Sequence, residues 1–210
     1  RGWWIRSLMW TPSALASEAR PLRGDCWRAV EDQHSATTRR LTDTVAEQEL
    51  LEDILEETKP RVPDSCAGLH YLLQTPFRYG APPPHGSRFR ARGDRRGVFY
   101  AAVDIPAAMA ELAFWRIMFF EASSADVTPR NAAVLTVFSV PYATLNGLDL
   151  TRPPLDRDQG PWTAPADYSA TQALAESARE AGVGILRYAS VRDTRGRTNL
   201  AILECAAFAR

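Results

Sequence analysis

The sequence predicts a mixed α/β domain that follows an N-terminal helical extension. A short β-prone run, GVFYAAV at 97–103, leads directly into an apolar helix at 106–121, and a strand that enters a buried helix is half of an α/β unit. Runs rich in β-branched and aromatic residues also follow that helix and end the chain. Because strands and helices alternate, we expect a sheet with flanking helices.

Composition limits the functions open to the chain. Its 210 residues are 45% hydrophobic, which allows a sizeable core in one large domain or in a domain with an added segment. Basic and acidic residues are equal in number, so the formal net charge is zero. A protein that wraps nucleic acid usually has a basic excess. We therefore expect no direct nucleic-acid partner.

The cysteines, histidines and apolar runs indicate a metal-free protein of the cytoplasm. Cys26, Cys66 and Cys205 are odd in number and far apart, so they predict neither a metal site nor a disulfide framework, which fits a reducing compartment. The three histidines are scattered and give no zinc pattern. No apolar run has the length that a membrane span needs, so we expect no membrane partner.

The pattern of the first 60 residues predicts an N-terminal helical extension. Residues 1–24 are irregular, whereas the stretch from Cys26 to Lys59 has apolar residues near helical spacing, and Pro60 ends it. One long helix and two helices joined near Ser35 are both open. We therefore divide the chain into an N-terminal extension, residues 1–60, and a domain, residues 61–210.

An arginine-rich loop opens the domain. Residues 60–97 contain many helix breakers, including the prolines of 81–84, and a long loop inside a compact domain usually has a function. Its guanidinium groups offer planar donors for phosphate or carboxylate. A solvated loop without a ligand is the alternative. The arginines concerned are Arg78, Arg88, Arg90 and Arg92.

Local signals predict the remaining elements. Asp104 is suited to cap a helix whose first turn holds Pro106, and the nearly all-apolar segment that follows predicts a helix buried on most sides. The later elements are strands at 133–140 and 143–150, a proline-rich loop at 151–166, a helix at 167–181, and closing strands at 184–190 and 198–208.

Glu111 is the most informative single residue. A carboxylate in the middle of an apolar helix is costly to bury unless it is paired or hydrogen-bonded. It is therefore either half of a structural ion pair or a cleft carboxylate with the loop arginines around it. Tyr100 lies on the preceding strand and Ser190 at the end of a later one, although a core tyrosine and a turn serine are the ordinary interpretations. These residues alone indicate an anion-binding cleft.

At these positions the chain resembles the RES-domain family. The segments TPFRY (75–79), GSRFR (86–90), GVFYAA (97–102) and AMAE (108–111) occur in the order of that family. The segments GVGILRYASVR (182–192) and TNLAIL (198–203) are similar to its C-terminal half. The resemblance covers roughly 130 residues and depends on order and spacing together, since no single motif is specific.

The resemblance implies a fold and an activity. The fold would be similar to ADP-ribosyltransferases, with two small packed, mostly antiparallel sheets and flanking helices. The activity would be that of a toxin that cleaves the nicotinamide–ribose bond of NAD, its substrate, with water, phosphate or a protein side chain as acceptor. A helix-turn-helix antitoxin of the Xre type would neutralise it, and a homodimer within that complex is one assembly consistent with the family.

The resemblance also assigns roles. The catalytic set would be Arg88, Glu111 and Ser190, after which the family is named, together with Tyr100. The residues that bind NAD would be Arg78, Arg88, Tyr100, Ser190 and Asn199, without a metal. Which of Arg88, Arg90 and Arg92 holds the pyrophosphate stays open. Two other functions are also open: a protein ADP-ribosyltransferase, and a non-catalytic binding module.

Overall fold

The computed structural model describes residues 10–31, 41–79, 86–123 and 134–209. The predicted joint near Ser35 and the prolines of 81–84 lie outside these residues. The helices within them are α1 (Pro12–Glu18), α2 (Val45–Thr58), α3 (Tyr71–Arg78), α4 (Ile105–Ala122), α5 (Gln159–Trp162) and α6 (Ser169–Glu180). The strands are β1 (Arg20–Glu31), β2 (Phe99–Ala102), β3 (Leu135–Asp149), β4 (Ile185–Ala189) and β5 (Thr198–Ile202).

The five described strands form one closed sheet in the order β1-β2-β5-β4-β3. β3 and β4 are parallel, and the other neighbours are antiparallel. The expectation of two packed sheets was therefore wrong in its detail. The physical reason is β1, which pairs with β3 along most of its length and meets β2 where Trp27 lies opposite Ala102. This bridge closes the five strands, which the other pairings already join into a single sheet.

The N-terminal prediction was correct for α2 and wrong for β1. α2 begins with a capping box in which the Thr44 side chain accepts a hydrogen bond from the Glu47 backbone, and the Glu47 side chain accepts one from the backbone of Thr44. The predicted helix from Cys26 onward is instead a strand as far as Glu31. Pairing with β3 decides its state, because strand formation depends on cross-strand partners more than on local propensity.

α4 follows its predicted start. The Asp104 side chain caps it by accepting a hydrogen bond from the Ala107 backbone, at 2.8 Å. The expectation that α4 is buried on most sides was wrong, because Ala107 and Ala108 are its buried residues while Trp115 is 52% exposed. A helix that is apolar all round gives no periodicity from which the buried face can be predicted.

Two hydrophobic clusters lie on opposite faces of the sheet, as the alternation of side chains along strands requires. One contains Leu148, Leu186 and Ala201 and packs against α1 and α6, and the other contains Phe99 and Ile202. None of the described helices has both the length and the hydropathy needed to cross a bilayer.

A disulfide joins Cys66 to Cys205, whose Cα atoms are 5.1 Å apart. The expectation that the cysteines form no disulfide was therefore wrong. Cys66 ends a short 3-10 helix (Asp64–Cys66), and Cys205 begins another (Cys205–Ala207). The two cysteines are 139 residues apart in sequence, and only the closed fold brings them together. Spacing along the chain gives no indication of such a contact.

Candidate active site

A cavity of about 530 Å³ lies between α4, the strands β1 and β2, and the turn at 86–90. It takes side chains from both ends of the chain, since Arg28 belongs to β1 and Asn199 to β5. Aromatic rings form much of its wall. Those rings belong to Trp27, Tyr100, Trp115, Tyr168 and Tyr188.

Glu111 projects from α4 into this cavity. Its Oε1 atom accepts hydrogen bonds from Ser190 Oγ at 2.8 Å and from Asn199 Nδ2 at 2.7 Å. Among the described residues it forms no salt bridge, so the structural ion pair considered from sequence is not found there. Two neutral donors fix one carboxylate oxygen, which leaves Oε2 as the oxygen to meet a ligand.

Ser190 follows β4 directly and is 7% exposed. Its hydroxyl oxygen accepts hydrogen bonds from the backbone N–H groups of Arg192 and Asp193, at 3.4 and 3.2 Å. A hydroxyl has one proton and two acceptor positions. Because both acceptor positions are occupied, the proton is directed to Glu111. In this geometry Ser190 donates a hydrogen bond that holds the carboxylate in place.

Asn199 lies on β5 opposite Tyr188 and is 1% exposed. Its Nδ2 group donates to Glu111, while its Oδ1 atom is buried and has no hydrogen-bond partner among the described residues. An orphaned buried acceptor is rare in folded proteins. Because Asn199 lines the cavity, a donor on a bound ligand is a natural partner for this oxygen.

Tyr100 contributes its ring to the cavity, while its hydroxyl is engaged elsewhere. The hydroxyl accepts a hydrogen bond from the Phe89 backbone at 3.0 Å and shares another with Ser87 Oγ at 2.9 Å. Burial is the main cause that raises the pKa of Tyr100 above its ordinary value, so the phenol is neutral at physiological pH. Its hydroxyl therefore holds the turn at 86–90 in position.

That turn carries two of the candidate arginines. Arg88 and Arg90 are each 8% exposed and line the cavity. The turn begins at Gly86, which has a φ of +72°, and a Cβ atom there would lie 2.4 Å from the Arg90 carbonyl oxygen. Glycine is therefore required at this position. The third candidate, Arg92, is exposed and does not line the cavity.

The two buried arginines bind backbone carbonyls. Arg88 donates from Nη1 to Trp162 O at 2.8 Å and from Nη2 to Ala164 O at 3.0 Å, and its guanidinium lies 4.8 Å from the centre of the Tyr168 ring. Arg90 donates from Nε to the Asp94 carbonyl oxygen at 3.0 Å. These contacts occupy N–H groups that could otherwise donate hydrogen bonds to a phosphate. The contacts of Arg88 also anchor the loop after α5.

Arg78 is not brought to the cavity. Its Nη1 forms an ion pair with Glu56 at 2.7 Å, and its Nε donates to the Pro60 carbonyl oxygen. These partners belong to α2 and to the segment just after it. Arg78 therefore links α3 to the N-terminal part of the chain and is not among the residues that line the cavity.

Arg28 is one of the charged lining residues that sequence analysis missed. Its Nη1 atom is buried without a hydrogen-bond partner among the described residues, and its guanidinium lies 4.6 Å from the centre of the Phe99 ring. Burial lowers the pKa of Arg28 to about 10, so it stays charged at neutral pH. The available signal was a lone charge in the run CWRAV (26–30), which lay within the predicted helix and was not singled out.

The charges around the cavity favour an anionic ligand. Among the described lining residues, four arginines face the single carboxylate of Glu111. The arginines are Arg28, Arg88, Arg90 and Arg192. No group of three or more metal-binding side chains occurs in the part of the chain that the structure describes. Planar aromatic walls beside cationic donors suit a molecule that combines flat rings with phosphate groups.

Comparison with known proteins gives a family for this fold and cavity. No curated protein sequence matches the chain. A chain in the crystal structure of the M. tuberculosis MbcT–MbcA toxin–antitoxin complex is similar, with a TM-score of 0.55 and 13% identity over 98% of this chain and 90% of that one. At that identity the similarity shows the fold alone. The RES-domain model matches residues 61–210, well over half of the sequence, and the chain therefore belongs to the RES-domain family.

Proposed function

We propose that this protein is the toxin of a toxin–antitoxin system and that it degrades NAD by cleaving the nicotinamide–ribose bond. The observation that carries the proposal is Glu111, a carboxylate fixed by Ser190 and Asn199 in a cavity lined by arginines and aromatic rings. Membership of the RES-domain family and the similarity to a toxin–antitoxin complex support the biological role.

Glu111 suits the chemistry of this bond. When the bond breaks, nicotinamide leaves with the electron pair and the ribose develops positive charge, as in an oxocarbenium ion. A fixed carboxylate stabilises that charge without reorganising during the reaction. The hydrogen bonds to Oε1 hold the group, and Oε2 meets the ribose. Water or phosphate then bonds to the anomeric carbon, giving a glycohydrolase or a phosphorylase, and water loses a proton in that step.

Arg28 is the strongest candidate for the pyrophosphate of NAD. Its buried Nη1 group has no partner among the described residues, and an unmet charged donor is stabilised when a phosphate oxygen accepts its hydrogen bond. Arg90 is the second candidate, since it lines the same cavity. Arg88 then supports the wall through Trp162 and Ala164. The unsatisfied Oδ1 of Asn199 offers an acceptor for a ribose hydroxyl or the carboxamide of nicotinamide.

The proposal includes a partner and a compartment. The partner is an antitoxin of the helix-turn-helix Xre type, because uncontrolled cleavage would deplete the NAD of the host. The compartment is the cytoplasm, where NAD is abundant. Co-purification of the chain with the product of an adjacent gene, together with loss of NAD cleavage in the complex, tests the partner.

Nicotinamide release by the purified chain tests the activity. It is measured with and without phosphate, for the wild type and for Glu111→Gln, which keeps the shape of the side chain and removes its charge. We expect the variant to remain folded and to lose activity by about 100- to 1,000-fold. Glu121→Gln is the matched control, since this exposed residue lies on the same helix and outside the cavity.

Four outcomes separate the functions that sequence left open. Release that increases with phosphate indicates a phosphorylase, and release without phosphate indicates a glycohydrolase. Transfer of label from NAD to a protein indicates an ADP-ribosyltransferase. A folded wild type that is free of its antitoxin and releases no nicotinamide contradicts the proposed function and favours a binding module.

A further inference from the structure

The turn that follows β4, residues 190–197, is tied to the beginning of α4 by a salt bridge. We propose that Arg197 is a positioning residue that fixes the Glu111 carboxylate through Ser190. This inference rests on the proposed function, since positioning matters only if Glu111 acts on a substrate. Arg197 is not among the residues lining the cavity, so it would act through the turn and not by touching the ligand.

The first step is the dependence of Ser190 on the turn. Its hydroxyl is oriented by the backbone N–H groups of Arg192 and Asp193, which donate to Oγ. The proton is then directed at Glu111 Oε1, 2.8 Å away. If the backbone at 192–193 moves, Oγ loses these donors, and the hydroxyl is free to rotate away from Glu111. The Ser190 contact to the carboxylate therefore depends on this turn, while Asn199 holds the same oxygen from β5.

The second step is the contact that holds the turn. The Oδ1 atom of Asp193 accepts a hydrogen bond from Arg197 Nη1 at 3.1 Å. Its Oδ2 atom accepts one from the Arg197 backbone N–H, also at 3.1 Å. Both oxygens of Asp193 are thus bound to Arg197. The Asp193 side chain is 7% exposed and that of Arg197 is 20% exposed. A pair that is this well shielded from solvent is screened less than a surface pair.

The third step connects the turn to the helix that carries Glu111. Arg197 Nε forms an ion pair with Asp104 Oδ2 at 2.9 Å, while the other oxygen of Asp104 caps α4 at Ala107. Asp104 is the N-cap of α4, and Glu111 lies about two turns farther along the same helix. The cap and the carboxylate therefore belong to one rigid element.

These contacts close a ring. It runs along α4 from Asp104 to Glu111, then through Ser190, Asp193 and Arg197 back to Asp104. A ring that includes a rigid helix fixes the separation between the helix and the turn more tightly than any single contact does. Arg197 is the one member that binds both the turn and the helix cap. Its removal opens the ring without touching the cavity.

The test is a double-mutant cycle on nicotinamide release from NAD. Arg197→Ala, Ser190→Ala and the double variant are compared for kcat and KM, with thermal unfolding recorded for each. We expect Arg197→Ala to lower kcat about 10-fold while KM changes less than about twofold, as happens when only a transition-state contact weakens. In the Ser190→Ala background the same substitution should have little further effect, because the two residues act in series.

Two further variants separate positioning from simple stabilisation. Asp193→Asn keeps the shape of the side chain and removes its charge, so it should lower kcat in a chain that folds well. Arg116→Ala is the matched control, since Arg116 lies on α4, pairs with Glu31, and has a side-chain exposure of 24% against 20% for Arg197. It should affect the melting temperature alone. Wild-type kcat in both turn variants, or additive effects with Ser190→Ala, would overturn the proposal.

Hydrogen exchange makes the result independent of the proposed function. Arg197→Ala should speed exchange of the Arg192 and Asp193 amides at least about 10-fold, because local opening becomes easier. If the wild type cleaves no NAD but exchange accelerates, the proposed function fails and the link between Arg197 and the turn holds. Unchanged exchange contradicts that link whatever the activity.

Discussion

The two walls of the cavity differ in how their polar groups are satisfied. On the carboxylate wall, Ser190 and Asn199 each donate a short hydrogen bond to Glu111, and the buried Oδ1 atom of Asn199 has no partner among the described residues. On the arginine wall, Arg88 is satisfied by two backbone carbonyls, whereas Arg28 has a buried Nη1 without a partner among the described residues. From this difference we infer that two arginines of one cavity have different functions: Arg88 supports the wall, and Arg28 binds the ligand.

The same substitution at both arginines tests this comparison, and Arg88→Met should have the larger effect. It leaves the Trp162 and Ala164 carbonyl oxygens without donors, so the free energy of unfolding should fall by about 2–4 kcal/mol. Urea denaturation measures this, and KM for NAD in the folded variant should change only a few-fold. Unchanged stability with lost NAD binding would instead give Arg88 the pyrophosphate role expected from sequence.

Arg28→Met should affect binding and not folding. It removes a charged group whose buried Nη1 has no hydrogen-bond partner among the described residues, so the free energy of unfolding should stay constant or rise. With a pKa of about 10, Arg28 is charged at neutral pH, and a charge-assisted hydrogen bond to phosphate is available there. We expect KM for NAD to rise about 10- to 100-fold. A drop in stability without a change in KM would make Arg28 structural.

Tyr100→Phe should have the smallest effect and tests which part of this residue matters. The ring that lines the cavity remains, while the hydroxyl that binds Phe89 and Ser87 is lost. The melting temperature should fall by an amount equivalent to about 1 kcal/mol. The rate of nicotinamide release should be close to that of the wild type. A loss of release in a folded variant would show that the hydroxyl takes part in the chemistry.

Sequence reasoning succeeded where local signals were sufficient. The Asp104 cap, α4, α6 and the β4–β5 hairpin all follow from turn, cap and periodicity rules that act within a few residues. The resemblance to the family also selected Glu111, Ser190 and Asn199, and the structure brings these three within hydrogen-bonding distance. Their action on a substrate stays a prediction.

The errors concern contacts between segments far apart in the chain. β1 is a strand because β3 pairs with it, and the sequence of residues 20–31 alone does not predict that pairing. Arg28 was missed with it. The Cys66–Cys205 disulfide forms between segments that only the closed fold brings together. Arg78 lies outside the cavity because it forms an ion pair with Glu56. The burial of α4 on most sides was wrongly predicted, because its apolar residues show no periodicity that would indicate an exposed face.

The closed sheet also sets when the site can exist during synthesis. Arg28 lies on β1 near the beginning of the chain and Asn199 on β5 near its end, and β1 needs β3 before it can pair along its length. A growing chain that has not passed residue 199 therefore lacks part of the carboxylate wall. Domains in general fold as units once their sequence has been made. If the chain has the proposed activity, a ribosome-bound copy therefore cannot cleave NAD before Asn199 has been translated and has left the ribosome.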